Sequence, residues 1–239
     1  MLDHALIRKA NSCLSDGWHC FGLEAKAAWL LQERLGANVP RKPFYRIAPE
    51  PILWSFWSEL ADLRLTAARA LELASLLTGQ RQSYRTKPIF GLDEHHRRFY
   101  FARRSAPNAL EGYLEMARDA QPLEVALEAL FRNIVFAHPF TDGNGRVARA
   151  LIVGLLARHG LITLPCLPLN SVFETRKSAI ASAFRTAIER GAQHLLQALL
   201  CAAVNEAAAL ACRAQSAEAA AHSGGLLHLS DRQIPPHQD

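Results

Sequence analysis

No two of the five cysteines (Cys13, Cys20, Cys166, Cys201 and Cys212) form a Cys-x-x-Cys pair. Their number is odd and their spacing wide, which disfavours a secreted disulfide framework and a zinc finger. The chain also has no concentrated Lys/Arg block. Its 27 basic and 22 acidic residues leave a formal net charge of +5, a mild excess that suits anionic ligands such as nucleotides. Composition gives no reason to expect a nucleic-acid partner. The start, Met1-Leu2-Asp3-His4, has no basic region followed by an apolar one, so no secretory signal is visible. No uninterrupted apolar run reaches the length of a membrane span; Leu195 to Leu210 comes nearest and is broken by Gln197, Asn205 and Glu206. The expected compartment is the cytoplasm, with no membrane partner, although an exported bacterial effector would escape this test. No internal repeat is present. What is abundant is apolar surface, at 50% of residues and rich in Ala and Leu, enough for a helical core in one domain or one domain with an extension.

The periodicity predicts a mostly helical chain with one hairpin. Residues 1–47 read as an extension of two short helices separated near Asp16-Gly17, followed by a proline-punctuated connection (Pro40, Pro43, Pro49, Pro51). A core is expected over residues 48–200. It opens with one long helix from about Ile52 to Leu77, closed at Gly79. Two β-prone runs within 83–103, around the polar tip Asp93 to Arg97, predict a hairpin. Pro107 and Pro122 each open a further helix, and the second carries the stripe Leu123, Leu127, Leu130, Phe131 and Ile134 to His138. Helices are expected from about Arg146 to Arg158, Ser171 to Arg190 and Gln193 to Ala214. Within 201–239 the last helix gives way near Ser216 to a tail without order. The Ala-rich last helix is a candidate homodimer interface, with packing inside the chain the simpler expectation.

The string His138-Pro139-Phe140-Thr141-Asp142-Gly143-Asn144-Gly145-Arg146-Val147-Ala148-Arg149 carries the chemistry. Gly143 and Gly145 free the backbone to expose N–H groups where a new helix begins, and a helix N-terminus with unsatisfied donors attracts anions. Arg146 and Arg149 oppose the helix dipole there, a cost most simply explained by an anion they serve. Asp142 is the obvious carboxylate for Mg²⁺ arriving with phosphates. His138 is the nearby group whose ordinary pKa suits a general base at neutral pH. Read singly, these residues are an ordinary turn, a capping histidine and a solvated basic face. Within twelve residues they read as a phosphate site.

The string resembles the Fic (Fido) family motif HPFx(D/E)GNGRxxR at every defined position, and the similarity extends from about Ala48 to Leu200. The resemblance implies an all-α Fic fold with a hairpin flap before the motif. It implies transfer of AMP from ATP to a Ser, Thr or Tyr hydroxyl of a target protein, with Mg²⁺ as cofactor and pyrophosphate released. His138 would then be the base and Asp142 the metal ligand. Gly143, Asn144 and Gly145 would form the anion hole. Arg146 and Arg149 would grip the phosphates, Arg149 the terminal one. Arg85, Thr86, Lys87, Pro88, Ile89 and Phe90 would belong to the flap that aligns the target as an added strand; a plain surface hairpin is the alternative.

Two departures bear on that resemblance. No (S/T)xxxE(G/N) inhibitory pattern follows the motif. Upstream, Cys20 to Ala25 has its shape, making Glu24 a candidate inhibitory residue that would pair with Arg149; the alternative is a solvated glutamate in a first helical turn. An external antitoxin partner is the other source of such a glutamate. Second, Arg176 is followed by Lys177, Ser178 and Ala179, where family members often carry a tyrosine pair beside the base. The donor nucleotide is therefore open. Readings that keep the phosphate site but change the outcome are another donor or a small-molecule acceptor, de-AMPylation through Glu24, and a non-catalytic nucleotide-binding regulator. Retention of Gly145 disfavours a Doc-like kinase. His95-His96 reads as an exposed tip, Trp54 and Trp57 as core or interface, and Cys166 has no neighbour to activate it.

Overall fold

A computed structural model of the chain describes residues 1–13, 22–35, 49–92, 98–102, 109–165 and 167–229. The expected hairpin tip with His95 and His96, Pro107, Cys20, Cys166 and the proline connection before Pro49 lie outside the described residues. The extension supplies α1 (His4–Ser12) and α2 (Leu23–Leu35). Asp3 caps α1 by accepting a hydrogen bond from the Leu6 N–H, and Ile7 and Ala10 are buried.

The single long helix expected before Gly79 is three helices: α3 (Pro49–Ser55), α4 (Trp57–Ala61) and α5 (Ala67–Thr78). Phe56 leaves helical geometry at the first break, and its ring is fully buried. Leu63 breaks the second by adopting φ 50°, a left-handed conformation that costs a non-glycine residue about 1–2 kcal/mol. Burial of Leu60, Leu63 and Leu65 compensates. Thr66 then restarts the chain as the N-cap of α5, and Gly79 closes it in the left-handed region, φ 68°. Trp57 packs against the core, whereas Trp54 is exposed.

Strands β1 (Phe90–Leu92) and β2 (Arg98–Tyr100) pair antiparallel, Phe90 opposite Tyr100. Four helices follow: α6 (Ala109–Arg118), α7 (Leu123–Ala137), α8 (Asn144–Arg158) and α9 (Leu169–Thr175). The helix expected over 171–190 begins at Leu169 and breaks at Arg176 into α9 and α10 (Lys177–Arg190). The last, α11 (Gln193–Leu229), continues past the expected end near Ala214, because the Ala217 to Ala221 stretch favours helix strongly.

Helix α8 is the central element. Val147, Ala148, Leu151, Ile152, Leu155 and Leu156 are buried and the helix packs against α4, α5, α6, α7 and α9, as expected of a helix that is apolar all round between Ala150 and Ala157. The Gln193–Ser216 part of α11 is long and apolar enough to cross a membrane by composition alone. Here its Leu200, Val204, Ala207 and Ala211 are fully buried, and α11 packs on α1, α7 and α10, so this apolar surface is used within the chain.

One close approach fixes α8 on α4. A Cβ on Gly154 would stand 2.2 Å from the Leu60 carbonyl oxygen, and backbone cannot yield as a flexible side chain does. Gly154→Ala is expected to destabilise the fold by about 3 kcal/mol. A urea titration should show a lower midpoint at unchanged slope.

Candidate active site

Helix α7 ends at His138, whose φ of 44° and ψ of 58° turn the chain out of the helix while its N–H still bonds to the Ile134 carbonyl. The Nδ1 atom lies 3.2 Å from the Val135 carbonyl oxygen. A carbonyl only accepts, so Nδ1 carries the proton and Nε2 keeps its lone pair. The ring is half-buried, its centroid 4.3 Å from that of Phe101. Burial, and secondarily the Arg85 charge, pushes its pKa below the ordinary histidine value; the Val135 bond and Asp142 pull the other way.

The loop after His138 is clamped by the segment leading into the hairpin. The Arg85 N–H donates to the Pro139 carbonyl at 2.8 Å and the Thr141 N–H to the Ser83 carbonyl at 3.0 Å, with a bridge between Tyr84 and Phe140. Arg85 corrects its expected role. Its guanidinium is buried and donates to the carbonyls of Lys87, Ala102, Ala137 and His138, so it holds the motif and does not face a target. Of the other flap residues, Thr86, Lys87, Pro88 and Phe90 are exposed and Ile89 is half-buried.

Asn144 is likewise committed by its side chain: Oδ1 accepts from the Phe140 N–H at 2.9 Å and Nδ2 donates to the Phe140 carbonyl at 2.8 Å. What Asn144 offers an anion is its backbone N–H. The first bond to a preceding carbonyl at this end of α8 is from the Val147 N–H to Gly143, at 2.9 Å. The N–H groups of Asn144, Gly145 and Arg146 precede it and make up the open end of the helix. Gly143, at φ 85°, suits this entry, where a Cβ would stand 2.9 Å from Thr78 Cγ2. Gln82 braces the turn from below: its buried Oε1 accepts from the Thr141 hydroxyl at 2.7 Å and the Asp142 N–H at 2.9 Å. The exposed Asp142 accepts from the Gly143 N–H at 2.6 Å through Oδ1, which leaves its second oxygen for a cation. No group of three or more His, Cys, Asp or Glu stands together as a metal cage among the described residues. A single carboxylate beside a phosphate site is the donor set Mg²⁺ uses with nucleotides.

Arg146 donates to the Leu77 carbonyl at 2.9 Å. Arg149 donates from Nε to Asn170 Oδ1, with its guanidinium carbon 5.5 Å from the Phe173 ring centroid. His138, Asp142 to Arg146 and Arg149 line a cleft of about 390 Å³ together with Phe101, Phe131, Val135, Phe173, Ile180 and Phe184. The cleft therefore brings polar and cationic groups together with aromatic and aliphatic side chains, Glu174 and Lys177 among its lining, and the Phe101 and Phe173 rings stand beside His138 and Arg149. Aromatic rings line the cleft although the tyrosine pair is absent. Ser178 and Ala179 are exposed, and the rings come instead from α7, α9, α10 and the end of the hairpin. Sequence periodicity marked Phe131 as core and gave no sign that the other rings would meet it.

Glu24 also departs from expectation. It is buried, not solvated, and its carboxylate accepts the N–H groups of Asn170 and Ser171, both at 2.9 Å, and the Ser171 hydroxyl at 2.6 Å. Burial pushes it up to about 7, against the pull of these bonds. It caps α9 and does not pair with Arg149. Gln82 and Asn170 are the polar residues of the site that sequence reasoning missed.

The Fic/DOC family model matches residues 64–156, the segment that runs from α5 through the motif. A probable protein adenylyltransferase of Aquifex aeolicus (strain VF5) is 34% identical over 85 residues, which are 35% of this chain and 24% of that protein. The match thus spans about a quarter of the length of that relative. Two solved structures share the fold, each with a TM-score of 0.53. One is a Fic domain containing signaling protein from Bacteroides thetaiotaomicron VPI-5482, 20% identical, with 71% of this chain and 70% of that chain covered. The other is a Fic family protein from Desulfovibrio desulfuricans G20, 17% identical, with 97% of this chain and 67% of that chain covered. The Fic/DOC match thus falls on the segment that carries the clamped His138–Arg149 motif, and the fold is shared with two solved Fic proteins.

Proposed function

We propose that this protein is a Fic-type transferase that moves AMP from ATP to a hydroxyl side chain of a target protein. The observation that carries the reading is the imidazole of His138. It is oriented by Val135 so that Nε2 is free to take a proton, in a cleft lined by both the motif's polar groups and aromatic rings. In the reaction the target hydroxyl oxygen bonds to the α-phosphorus, the bond from that phosphorus to the bridging oxygen breaks, and pyrophosphate leaves. His138 Nε2 takes the hydroxyl proton. The N–H groups at the start of α8, with Arg146 and Arg149, neutralise phosphate charge, and positioning of this kind supplies most of the catalysis in phosphoryl chemistry. Asp142 would hold Mg²⁺, which when bound offsets the negative charge of the phosphates. The exposed Thr86, Lys87 and Pro88 offer backbone to an incoming target strand.

A different donor nucleotide is the second reading, favoured by phenylalanines, which stack on any base and offer no hydroxyl to select one. De-AMPylation through Glu24 is not supported, because that carboxylate is committed to α9.

The test is transfer of label from each nucleoside triphosphate, in Mg²⁺, to the protein itself and to a bacterial lysate, read by intact mass and by gel. An AMP adduct with wild type and none with His138→Ala is the expected result. An adduct from UTP or CTP alone would establish the second reading, and no His138-dependent adduct from any donor would overturn both.

A further inference from the structure

The seven-residue helix α9 has no side-chain cap of its own, since its N-cap position is Pro168. The cap comes from Glu24 on α2, 146 positions away, whose two oxygens receive the Asn170 and Ser171 N–H groups. The Ser171 hydroxyl donates to the same carboxylate and also lies 3.1 Å from the Glu24 carbonyl oxygen. Glu24, Asn170 and Ser171 are all buried, with exposures of 5%, 8% and 0%, so these bonds do not compete with water. Asn170 then turns its Oδ1 to Arg149 Nε. That bond occupies one edge of the guanidinium. It leaves Nη1 over the first turn of α8, 3.3 Å from where a Cβ on Gly145 would stand.

We infer that Glu24 and Asn170 are positioning residues for Arg149, through which helix α2 holds the phosphate end of the cleft ready for a nucleotide. The inference rests on the reading of Arg149 as a phosphate ligand, and it gives Glu24 the opposite sign to a brake. A carboxylate that blocked Arg149 would have to abandon two backbone N–H groups and a hydroxyl in a buried place, where unmade bonds are costly. Where it stands, the carboxylate fixes Asn170, and Asn170 selects the one guanidinium orientation that presents a two-nitrogen fork to phosphate. The device reaches outside the matched segment 64–156: both Glu24 and Asn170 lie beyond it, so the extension completes the site.

The experiment compares ATP and AMP affinity by calorimetry in Mg²⁺ for the full chain and its Glu24→Gln, Asn170→Ala and Arg149→Ala variants. Gln at position 24 puts an NH₂ where α9 presents donors, so it removes the cap at nearly constant shape. Glu24→Gln and Asn170→Ala are expected to weaken ATP about tenfold and AMP by less than about twofold, since AMP lacks the terminal phosphates Arg149 would hold. In the Arg149→Ala background neither is expected to add a further loss. Tighter ATP binding or faster transfer by Glu24→Gln would overturn the inference in favour of a brake. Equal losses for ATP and AMP, or losses that persist without Arg149, would overturn it in favour of a purely structural cap. A nucleotide-free readout separates this from failure of the functional reading. The Arg149 Nε–H resonance, assigned by its loss in Arg149→Lys, is expected to be protected from exchange in wild type and unprotected in Glu24→Gln and Asn170→Ala. Unchanged protection in both variants would overturn the positioning role whether or not any nucleotide binds.

Discussion

His138→Ala is expected to lower AMP transfer by about 10²–10⁴-fold while changing ATP affinity by less than about twofold, because the imidazole acts on the hydroxyl proton and not on the phosphates. The pH dependence follows from the same ring. A base must be unprotonated, and burial lowers the His138 pKa from its ordinary 6.5. Neutral imidazole therefore persists to lower pH, and kcat/KM should stay flat through neutrality and fall only below that value. Phe101, 4.3 Å away, is part of what keeps water from the ring. Phe101→Ala should raise the His138 pKa and move the acid limb of the profile upward, with the maximum rate reduced less than in His138→Ala. A profile whose acid limb does not move would assign the limb to another group.

The motif was legible because its residue types announce their chemistry locally. Glycines at a helix entry, two arginines against the dipole and a histidine before them need no tertiary knowledge to be read together. The helix end at Gly79 was legible for the same reason, since it sits in the left-handed conformation that glycine permits. The α4–α5 break was not, because Leu63 takes the same conformation without being glycine; only the packing of its side chain explains it. Thr66, a capping residue before an apolar run, was the one readable sign. Glu24 and Arg85 were misread for a common reason. Each has partners decided by where distant backbone comes to rest, α9 for one and the His138 turn for the other, and a charged residue in sequence gives no hint that it will be buried against carbonyls or amides.

Arg85→Met is expected to destabilise the protein by about 3 kcal/mol and to lower transfer by about a hundredfold, although the side chain does not itself line the cleft. One guanidinium satisfies four carbonyls, at 2.7 Å for Lys87, 2.5 Å for Ala102, 2.9 Å for His138 and 3.1 Å for Ala137. It ties both ends of the hairpin region to the residue that bears the base. Methionine fills a similar volume and donates nothing, leaving buried carbonyls without partners at the turn where His138 already holds φ 44°. Lysine is no substitute, because three donors on a point cannot span a planar fork of contacts. Arg85→Lys should therefore recover less than half of the lost stability in a thermal melt. Lys87→Ala is the control that separates clamp from target contact: its side chain is exposed, so melting and ATP affinity should be unchanged, and only the KM for a protein target should rise. If Arg85→Met melted normally but failed to transfer, the clamp would be acting on His138 geometry alone. Normal melting with normal transfer would mean that the four bonds hold neither the fold nor the base.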